Sequence, residues 1–317
     1  MSEFNLIAQY FTRSAPNADL GVGDDAALVR VKEGHQLAIS ADMLVAGIHF
    51  FHDAAPYDIG WKSLAVNISD MAAMGATPKW ATLAIALPDV NEAWLAEFSR
   101  GFFDCAVKFH VDLIGGDTTR GSLTISVQIM GEVPIGKAIK RSGAKVGDEI
   151  WVSGKLGDAA LALAHLQNKL ILPDDVLLQC EAALHSPQPR VSLGLALRDI
   201  ANSAIDVSDG LLADLGHILK CSNAGAILQL ADIPRTQLDE SVYGHEKQIY
   251  LALAGGDDYE LCFTAPADKH TEILQIGEKL ALPLSCIGRV TQSAGVIVHD
   301  KIGEILEIKK TGYNHFA

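Results

Sequence analysis

Aspartates that follow apolar segments are the residues of this sequence best suited to do chemistry. For any one such segment, an aspartate after Gly or Ser is ordinary turn or helix-cap chemistry. Six in one chain are harder to explain as six separate turns. The segments are Gly21–Asp25, Ile39–Asp42, Asn67–Asp70, Leu113–Asp117, Ile205–Asp209 and Leu253–Asp258.

If these carboxylates converge, they need bound cations. Two carboxylates 4 Å apart repel by about 4 kcal/mol at an effective dielectric near 20. The six segments contain no His or Cys, and oxygen-only ligands favour Mg²⁺, with Ca²⁺ or Mn²⁺ possible. The spacing does not match an EF-hand loop. We therefore predict a site with several metal ions that binds phosphate groups.

Familiar nucleotide and acyl-transfer motifs do not explain the pattern. Gly21–Ala26 formally fits G-x-G-x-x-G/A, which requires a strand before it and a helix after it. Here a polar loop precedes it, the strand-like Ala27–Val31 follows, and two carboxylates would face the pyrophosphate. The P-loop, the kinase strings H-R-D and D-F-G, and G-x-S-x-G are absent. Any ATP site must therefore have another architecture.

The net charge, the cysteines and the hydrophobicity of the sequence indicate which kinds of partner to expect. The 317 residues carry a formal net charge of −14, which argues against a general nucleic-acid binder. Anionic small molecules remain possible if divalent cations lie between them and the protein. The five cysteines form no C-x-x-C pair, and no stretch has the length and apolarity of a membrane helix. With no signal-peptide pattern at the N-terminus, we expect a cytoplasmic protein without membrane or nucleic-acid partners.

The elements that must position the aspartates alternate between strands and helices. This predicts an α/β (α+β) fold of two domains, 1–138 and 139–317, with the basic, glycine-containing segment 136–148 as the boundary. Helices are predicted at Phe4–Phe11, Ile59–Met74, Ala93–Val107 and from Asp158. Strands are predicted at Ala27–Val31, Gln36–Ala41, Trp80–Leu87, Val111–Ile114, Leu123–Met130, Ile150–Ser153, Ala204–Val207, Ala226–Leu230, Leu261–Thr264 and Leu284–Val290.

Three further side chains have both a plain and a functional interpretation. His49, just after the Asp42 segment, is by itself typical of a structural or surface histidine. Arg141 fits a solvated linker charge, or a clamp if a phosphate lies beside it. The aromatic segment Gly312–Phe316, with Tyr313, fits a packed tail or a lid over a cationic or heteroaromatic ligand.

The ordered motifs closely resemble those of the thiamine-monophosphate kinase family, which makes thiamine diphosphate from thiamine monophosphate and ATP. The family belongs to a wider group with aminoimidazole ribonucleotide synthetase, selenophosphate synthetase and a hydrogenase-maturation protein. The resemblance extends from Phe4 to the last residues. It rests on Gly21–Ala26, Ile39–Phe50, Asn67–Ala76, Leu113–Gly121, Arg141–Asp148, Ile205–Leu211 and Gly255–Leu261.

The resemblance implies a homodimer with the aminoimidazole ribonucleotide synthetase-like fold: an N-terminal ATP-binding domain with a dimerising mixed sheet, and a C-terminal α/β domain. It implies several Mg²⁺ ions, with ATP as co-substrate. The implied metal positions are Asp25, Ser40, Ala41, Asp42, Asp70, Asp117, Asp206 and Asp209; those for ATP are Gly116, Asp117, Arg141 and Ser208; those for thiamine monophosphate are His49, Asp257 and Tyr313.

Two positions depart from the family pattern. Ala41 stands where Thr is common, so any ligand there must be the backbone carbonyl, and we expect this to be harmless. Asp257 stands where Glu is usual, which we expect to shift substrate contacts modestly. Selenophosphate synthetase would need an N-terminal Cys or selenocysteine, and no Cys precedes Cys105. The hydrogenase-maturation relative ends in a functional Cys, whereas this chain ends in Ala317. Aminoimidazole ribonucleotide synthesis, a non-catalytic nucleotide-binding module and a two-metal phosphohydrolase stay open as alternatives.

The mechanism that we expect is direct in-line transfer of the ATP γ-phosphoryl group, without a phosphoenzyme. Because a phosphate monoester is already ionised near pH 7, no general base is needed. Arg141 would contact ATP, Tyr313 would stack on the heteroaromatic cation, and His49 would touch the substrate. The expected catalytic set consists of Asp42, Asp70, Asp117 and Asp209. Mg²⁺ on the ATP phosphates would be held by Asp42, Asp70 and Asp117. Further Mg²⁺ would be held by Asp25, Asp206 and Asp209.

Overall fold

The computed structural model describes residues 3–308 and 311–313, which fold as two compact units. Unit 1 contains Met1–Met71 and Ala76–Gly136, and unit 2 contains Ala72–Gly75 and Lys137–Ala317. Each unit has its own sheet. Among the described residues, no helix combines the length and the apolar character needed to cross a bilayer.

Unit 1 is built on a four-stranded mixed sheet in the order β1-β4-β2-β3. β1 and β2 both pair antiparallel with β4, whereas β2 and β3 are parallel and are joined through helix α3. A π-helical turn, Ile7–Phe11, continues α1. The bounds are α1 Glu3–Leu6, β1 His35–Val45, α2 Pro56–Ala73, β2 Thr77–Leu87, α3 Glu92–Phe109, β3 Asp112–Arg120 and β4 Thr124–Pro134.

One face of this sheet forms the core with α2 and α3. Alternate residues of β4, such as Ile125 and Ile129, are almost fully buried, as the period-two pattern of a half-buried strand requires. Gly60 of α2 lies against the Phe98 carbonyl of α3 so closely that a Cβ atom would overlap it. The two helices therefore pack backbone against backbone at this point.

The opposite face of the unit 1 sheet is open in this chain, and we call it the exposed sheet face. It carries Leu37, Ile39 and Met43 of β1, whose exposed fractions are 37%, 54% and 56%. Ala84 of β2 lies on the same face and is also exposed. Large apolar side chains in one exposed row are unusual for a surface that faces only water.

Unit 2 contains a six-stranded sheet in the order β10-β7-β9-β5-β8-β6, antiparallel except for the pair β10 and β7. Its strands are β5 Glu149–Ser153, β6 Ser203–Asp206, β7 Gly225–Gln229, β8 Leu261–Ala265, β9 Leu284–Thr291 and β10 Gly295–His299. Its helices are α4 Asp158–Leu166, α5 Asp174–His185, α6 Val191–Ala196, α7 Leu211–Ser222, α8 Glu240–Tyr243, α9 His245–Ala254 and α10 His270–Leu280.

Both faces of the unit 2 sheet are covered. In β5, Ile150 belongs to a core cluster with Leu215 of α7, whereas the next residue, Trp151, belongs to a separate cluster with Ile273 of α10. Because consecutive side chains of a strand leave opposite faces, both faces must be apolar. This explains why all five residues of β5 are buried.

The mixed α/β architecture predicted from the sequence is confirmed, with three corrections. Ala27–Val31 is not a strand: Leu28 forms one isolated bridge with Leu20, and β1 pairs with β4 instead of this segment. Strand β10 was not predicted. The aspartates do not all end their elements, because Asp42 lies within β1, Asp70 within α2 and Asp117 within β3.

Candidate active site

Two carboxylates of unit 1 meet where β1 contacts α2. Ser40 and Asp42 are two residues apart on β1, so their side chains leave the same face. Ser40 Oγ donates a hydrogen bond to Asp70 Oδ2 at 2.5 Å. The Asp42 amide donates to Asn67 Oδ1, one helical turn before Asp70, at 3.0 Å. These bonds hold the middle of β1 against the last turns of α2.

The Asp42 carboxyl is harder to ionise than an exposed aspartate. Burial and, next, the Asp70 carboxylate raise the pKa of Asp42 from 3.8 to about 6. Both causes disfavour the charged form of Asp42, and a cation near the pair would favour that form and lower the pKa. The Ser40 hydroxyl adds a third oxygen beside Asp70. This oxygen-only donor set fits Mg²⁺, which takes carboxylate and hydroxyl oxygens and keeps several waters.

Asp117 lies elsewhere on the same sheet. In the strand register it is beside Ala84, Ala84 is opposite Ser126, and Ser126 is opposite Met43. Asp117 therefore lies on the exposed sheet face, whereas Asp42, the neighbour of Met43, points to the other face. β1 and β3 are the two edge strands, about 14 Å apart at about 4.8 Å per strand. Within this chain the sheet does not bring Asp117 to Asp42.

The packing of two strands requires glycine at position 116. Gly116 has a φ of +151°, and a Cβ atom there would overlap the Leu83 carbonyl of β2. A side chain would force β3 away from β2, and the backbone angle also favours glycine. The close approach of the two strands thus explains this residue without any ligand. Its proposed role in ATP binding stays a prediction.

Two other predicted ligands of unit 1 are exposed. Asp25 lies in the loop before β1, where its amide donates to the Asp24 carboxylate at 2.9 Å. Ala41 points to the exposed sheet face, opposite Gln128 and away from the neighbouring Asp42. As the sequence implied, a metal contact at Ala41 would have to come from its backbone.

His49 is fixed in the turn that follows β1. Its Nδ1 accepts a hydrogen bond from the Val45 amide at 3.0 Å. In the neutral ring the proton is therefore on Nε2. The structural interpretation and the functional one are both compatible with this geometry.

In unit 2, a sharp loop follows β6 and carries Ser208 and Asp209. The amides of residues 208, 209 and 210 all donate to one oxygen, Asp214 Oδ2, at 3.0, 3.0 and 3.1 Å. Asp214 is buried in the first turn of α7. Burial raises the pKa of Asp214 to about 6, although the three hydrogen bonds act in the opposite direction. One carboxylate thus sets the shape of the loop that carries two predicted site residues.

The segment 255–260 is anchored to the same loop. The Asp257 amide donates to the Ser208 carbonyl at 2.8 Å, and the Tyr259 amide donates to the Val207 carbonyl at 2.8 Å. Asp257 has a φ of +70° and Tyr259 a φ of +49°, which non-glycine residues adopt only when their surroundings require it. Tyr259 Oη donates to Asp257 Oδ1 at 3.2 Å. The backbone and one hydroxyl therefore aim the Asp257 carboxylate.

The other acids of this segment are structural. The buried Asp258 carboxylate accepts the Gly157 amide at 2.9 and 3.0 Å, and burial raises the pKa of Asp258 well above its usual value. Glu260 accepts Ser153 Oγ at 2.5 Å and forms a two-point ion pair with Arg190. The Asp-Asp-Tyr-Glu sequence therefore alternates between residues that shape the loop and residues that hold unit 2 together.

Tyr313 and Arg141 are positioned by their backbones. The Tyr313 amide donates to the Asp209 carbonyl at 3.0 Å, and the exposed fraction of Tyr313 is 54%. Ser222 Oγ accepts the amides of Gly143 and Ala144, both at 3.2 Å, which anchors the linker just after the exposed Arg141. The aromatic residue at position 316 lies outside the described residues.

The structure therefore brings some of the predicted residues together, in one group in each unit. Unit 1 brings together Ser40, Asp42 and Asp70, and unit 2 brings together Ser208, Asp209, Asp257 and Tyr313. The buried Asp206, the last residue of β6, leads directly into the second group. Sequence reasoning missed Asn67, Asp214 and Tyr259. An acid in the first turn of a helix after Asp-Gly was a usable signal for Asp214, because it can accept the free amides there.

Both halves of the chain match models of one protein family. Residues 23–133 match the family model described as "AIR synthase related protein, N-terminal domain", and residues 145–301 match "AIR synthase related protein, C-terminal domain". The predicted aminoimidazole ribonucleotide synthetase-like fold is thereby confirmed.

Within that class the similarity is more specific. The thiamine-monophosphate kinase of Escherichia coli strain K12 is 48% identical over 322 aligned residues, which cover 99% of this chain and 98% of that one. The crystal structure of the kinase from Stenotrophomonas maltophilia K279a has a TM-score of 0.84 at 46% identity, covering 93% and 94%. AaThiL complexed with AMPPCP and TMP has a TM-score of 0.76 at 28% identity, covering 99% and 96%. This chain belongs to the thiamine-monophosphate kinase family.

Proposed function

We propose that this protein transfers the γ-phosphoryl group of ATP to thiamine monophosphate, giving thiamine diphosphate and ADP. The observation that carries the proposal is the similarity to the Escherichia coli kinase, at 48% identity along 99% of this chain. The relative AaThiL, solved with AMPPCP and TMP, supports the same pair of substrates. A cytoplasmic location stays a prediction.

The chemistry joins two anions, so charge and alignment dominate the barrier. The acceptor phosphate is largely ionised near pH 7, so the protein need not remove a proton from it. What the protein must supply is in-line placement and neutralisation of the phosphoryl oxygens. The carboxylates and hydroxyls described in each unit are suited to holding cations that neutralise this charge. The reaction requires no protein nucleophile and no acid–base pair.

Asp42 and Asp70 are the best-supported Mg²⁺ ligands. Burial and the Asp70 carboxylate make ionisation of Asp42 unfavourable, so a cation beside the two carboxylates would be stabilising. Hydrogen bonds from Ser40 and to Asn67 fix the geometry of the pair. A bound Mg²⁺ supplies charge neutralisation for phosphate oxygens. We propose the remaining metal ligands in each unit as the family pattern implies: Asp25, the Ala41 carbonyl and Asp117 in unit 1, and Asp206 and Asp209 in unit 2.

The substrate contacts follow from the donors and acceptors available. His49 is the proposed contact for an oxygen of thiamine monophosphate, as the family pattern implies, and the Asp257 carboxylate is the proposed acceptor or counter-charge. Tyr313 offers an exposed ring for stacking on the heteroaromatic cation. Gly116, Arg141 and Ser208 are the proposed ATP contacts, with Arg141 as a charged clamp on a phosphate.

We further propose that the exposed sheet face packs against a second copy of this chain. Leu37, Ile39 and Met43 form an exposed apolar row that a homodimer would bury. Asp117 lies on the same face, on the other edge strand from Asp42.

The dimer is tested by sedimentation velocity. We expect the wild type to be a dimer, Ile39→Lys to shift it to a monomer, and Val107→Lys to leave it unchanged. Val107 is a suitable control because it is 74% exposed on α3, away from the exposed sheet face. A monomeric wild type, or a dimeric Ile39→Lys, contradicts the proposal.

The activity is tested with purified protein, ATP and Mg²⁺, with and without thiamine monophosphate. We expect ADP release only with the acceptor, matched mole for mole by thiamine diphosphate on chromatography. Asp42→Asn should lower turnover at least about 100-fold, because a ligand charge is lost. Asp104→Asn, an exposed carboxylate on α3, is the matched control and should keep full activity. Phosphate release without acceptor would instead indicate a hydrolase.

A further inference from the structure

Three donor side chains of unit 2, outside the groups described above, converge on one point. Glu149 of β5, His270 of α10 and Cys286 of β9 each offer one ligand atom, and these atoms all lie within 4.8 Å of one another. A His270 ring nitrogen, Nδ1, lies 2.8 Å from Glu149 Oε2.

The fold itself brings these residues together. Glu149 and Trp151 are two residues apart on β5, so their side chains leave the same face. Cys286 is the register partner of Trp151, and an irregularity between Ile150 and Trp151 adjusts the two strands at this point. His270, the first residue of α10, lies over that face with its ring centroid 4.8 Å from the Trp151 ring. Since β5 is paired on both sides, the ligands stand on a rigid support.

The charges around the cluster suit a divalent cation that prefers sulfur. Glu149 and Asp232 act on Cys286 as negative neighbours and Arg289 as a positive one. With a thiolate at position 286, these four groups carry two net negative charges. Burial and the Glu149 carboxylate raise the pKa of the Cys286 thiol, so an ion must bind sulfur strongly enough to displace its proton to solvent. Zn²⁺ meets this condition, and Mg²⁺, which binds oxygen, does not.

The Glu149 carboxylate has outer support as well. Arg289 donates to Glu149 Oε1 at 3.3 Å, which leaves Oε2 as the atom directed at His270. Such a partner on the second oxygen is common around metal-bound carboxylates. Ligands of a tetrahedral zinc ion lie about 3.3–3.7 Å apart, so the present 4.8 Å limit closes with side-chain shifts of about 1 Å.

We propose that Glu149, His270 and Cys286 bind one Zn²⁺ ion, with water as the fourth ligand. His270 is partly exposed, which gives the ion and the water access. The site joins β5, β9 and α10, so an occupied site stabilises unit 2. It shares no residue with the proposed Mg²⁺ ligands and does not depend on the proposed kinase activity.

The test is titration of the metal-free full-length protein with Co²⁺, which reports thiolate ligation by its charge-transfer absorption. We expect one equivalent to bind with that band and with tetrahedral visible bands, to be displaced by Zn²⁺, and to persist in excess Mg²⁺. Cys286→Ser should abolish the charge-transfer band and weaken Co²⁺ binding at least 10-fold, and His270→Gln should weaken it at least 10-fold. Cys221→Ser, at an exposed cysteine of the same unit, should bind as the wild type does.

Two results would overturn the proposal. One is a titration in which the wild type shows no stoichiometric thiolate band. The other is a band that survives in Cys286→Ser, which would assign the sulfur to another cysteine. Thermal unfolding in EDTA checks that the Cys286→Ser protein is folded. Added Zn²⁺ should raise the midpoint of the wild type and of Cys221→Ser but not that of Cys286→Ser.

Discussion

The pairing of Asp42 with Asp70 makes a quantitative prediction about stability without metal. Asp42 titrates near 3.8 in the unfolded chain and near 6 in the folded one. Between these values the folded state binds more protons, so raising the pH lowers the free energy of unfolding. The stabilising contribution is complete below pH 3.8 and is lost as the pH rises through about 6. A shift of this size corresponds to about 3 kcal/mol.

The perturbation is Asp42→Asn, which keeps the shape of the side chain but cannot ionise. The Asp42 amide would still donate to Asn67, because that bond uses the backbone. Denaturant unfolding in EDTA should show the variant gaining about 2.4 kcal/mol on the wild type between pH 4 and pH 7, which is most of the full effect. Asp214, whose pKa is also raised to about 6, titrates in the same window in both proteins. Taking the difference between the two proteins removes its contribution.

Mg²⁺ provides the second arm of this experiment. If the pair holds the cation, saturating Mg²⁺ lowers the pKa of Asp42 and stabilises the wild type more than Asp42→Asn. Asp104→Asn reports any general effect of removing a carboxylate from unit 1. A difference between wild type and Asp42→Asn that stays constant with pH in EDTA would refute the electrostatic reasoning, and an equal response to Mg²⁺ would refute the ligand assignment.

The hydrogen bonds of unit 2 lead to two further predictions. Asp214→Ala removes the acceptor of three loop amides and should cost about 1–3 kcal/mol in denaturant unfolding, together with most of the turnover. Asp214→Asn keeps a side-chain oxygen and should recover much of both; equal damage from the two variants would argue against the positioning role. Tyr259→Phe removes the hydroxyl that donates to Asp257 and should raise KM for thiamine monophosphate about 5-fold with little change in kcat. Tyr243→Phe, whose hydroxyl donates to the Ile171 carbonyl, should show no such split in steady-state kinetics.

Much of the fold could be predicted from local pattern. The helix at 93–107 was predicted because its apolar residues recur at helical spacing, and α3 contains this range with Asn91 as its cap. The segment Ala27–Val31 was wrongly predicted as a strand for the same kind of reason. It is a short, mostly apolar run, but a strand also needs a partner, and β1 pairs with β4. Local pattern does not encode the choice of partner.

In the candidate site, likewise, some residues could be predicted from the sequence and others could not. Residue type, order and resemblance predicted the aspartates, the metal type and the reaction, and the site residues and the metal stay predictions. They did not reveal that Asn67 accepts the amide of Asp42, that Asp214 gathers three amides, or that Tyr259 donates to Asp257. These residues act through contacts made by packing or by a turn, and their residue types alone are compatible with many other roles.

The sequence by itself determined the classes of element, the family, and which side chains have the chemistry for metal and phosphate. Only the tertiary structure decided how those side chains are grouped. Strand alternation places Asp42 and Asp117 on definite faces of their own strands, but the register of four strands puts those faces on opposite sides of one sheet. The cluster of Glu149, His270 and Cys286 likewise exists because pairing and helix packing join residues far apart in the chain. Such distances are set by long-range hydrogen bonding and burial, which no local segment of the sequence contains.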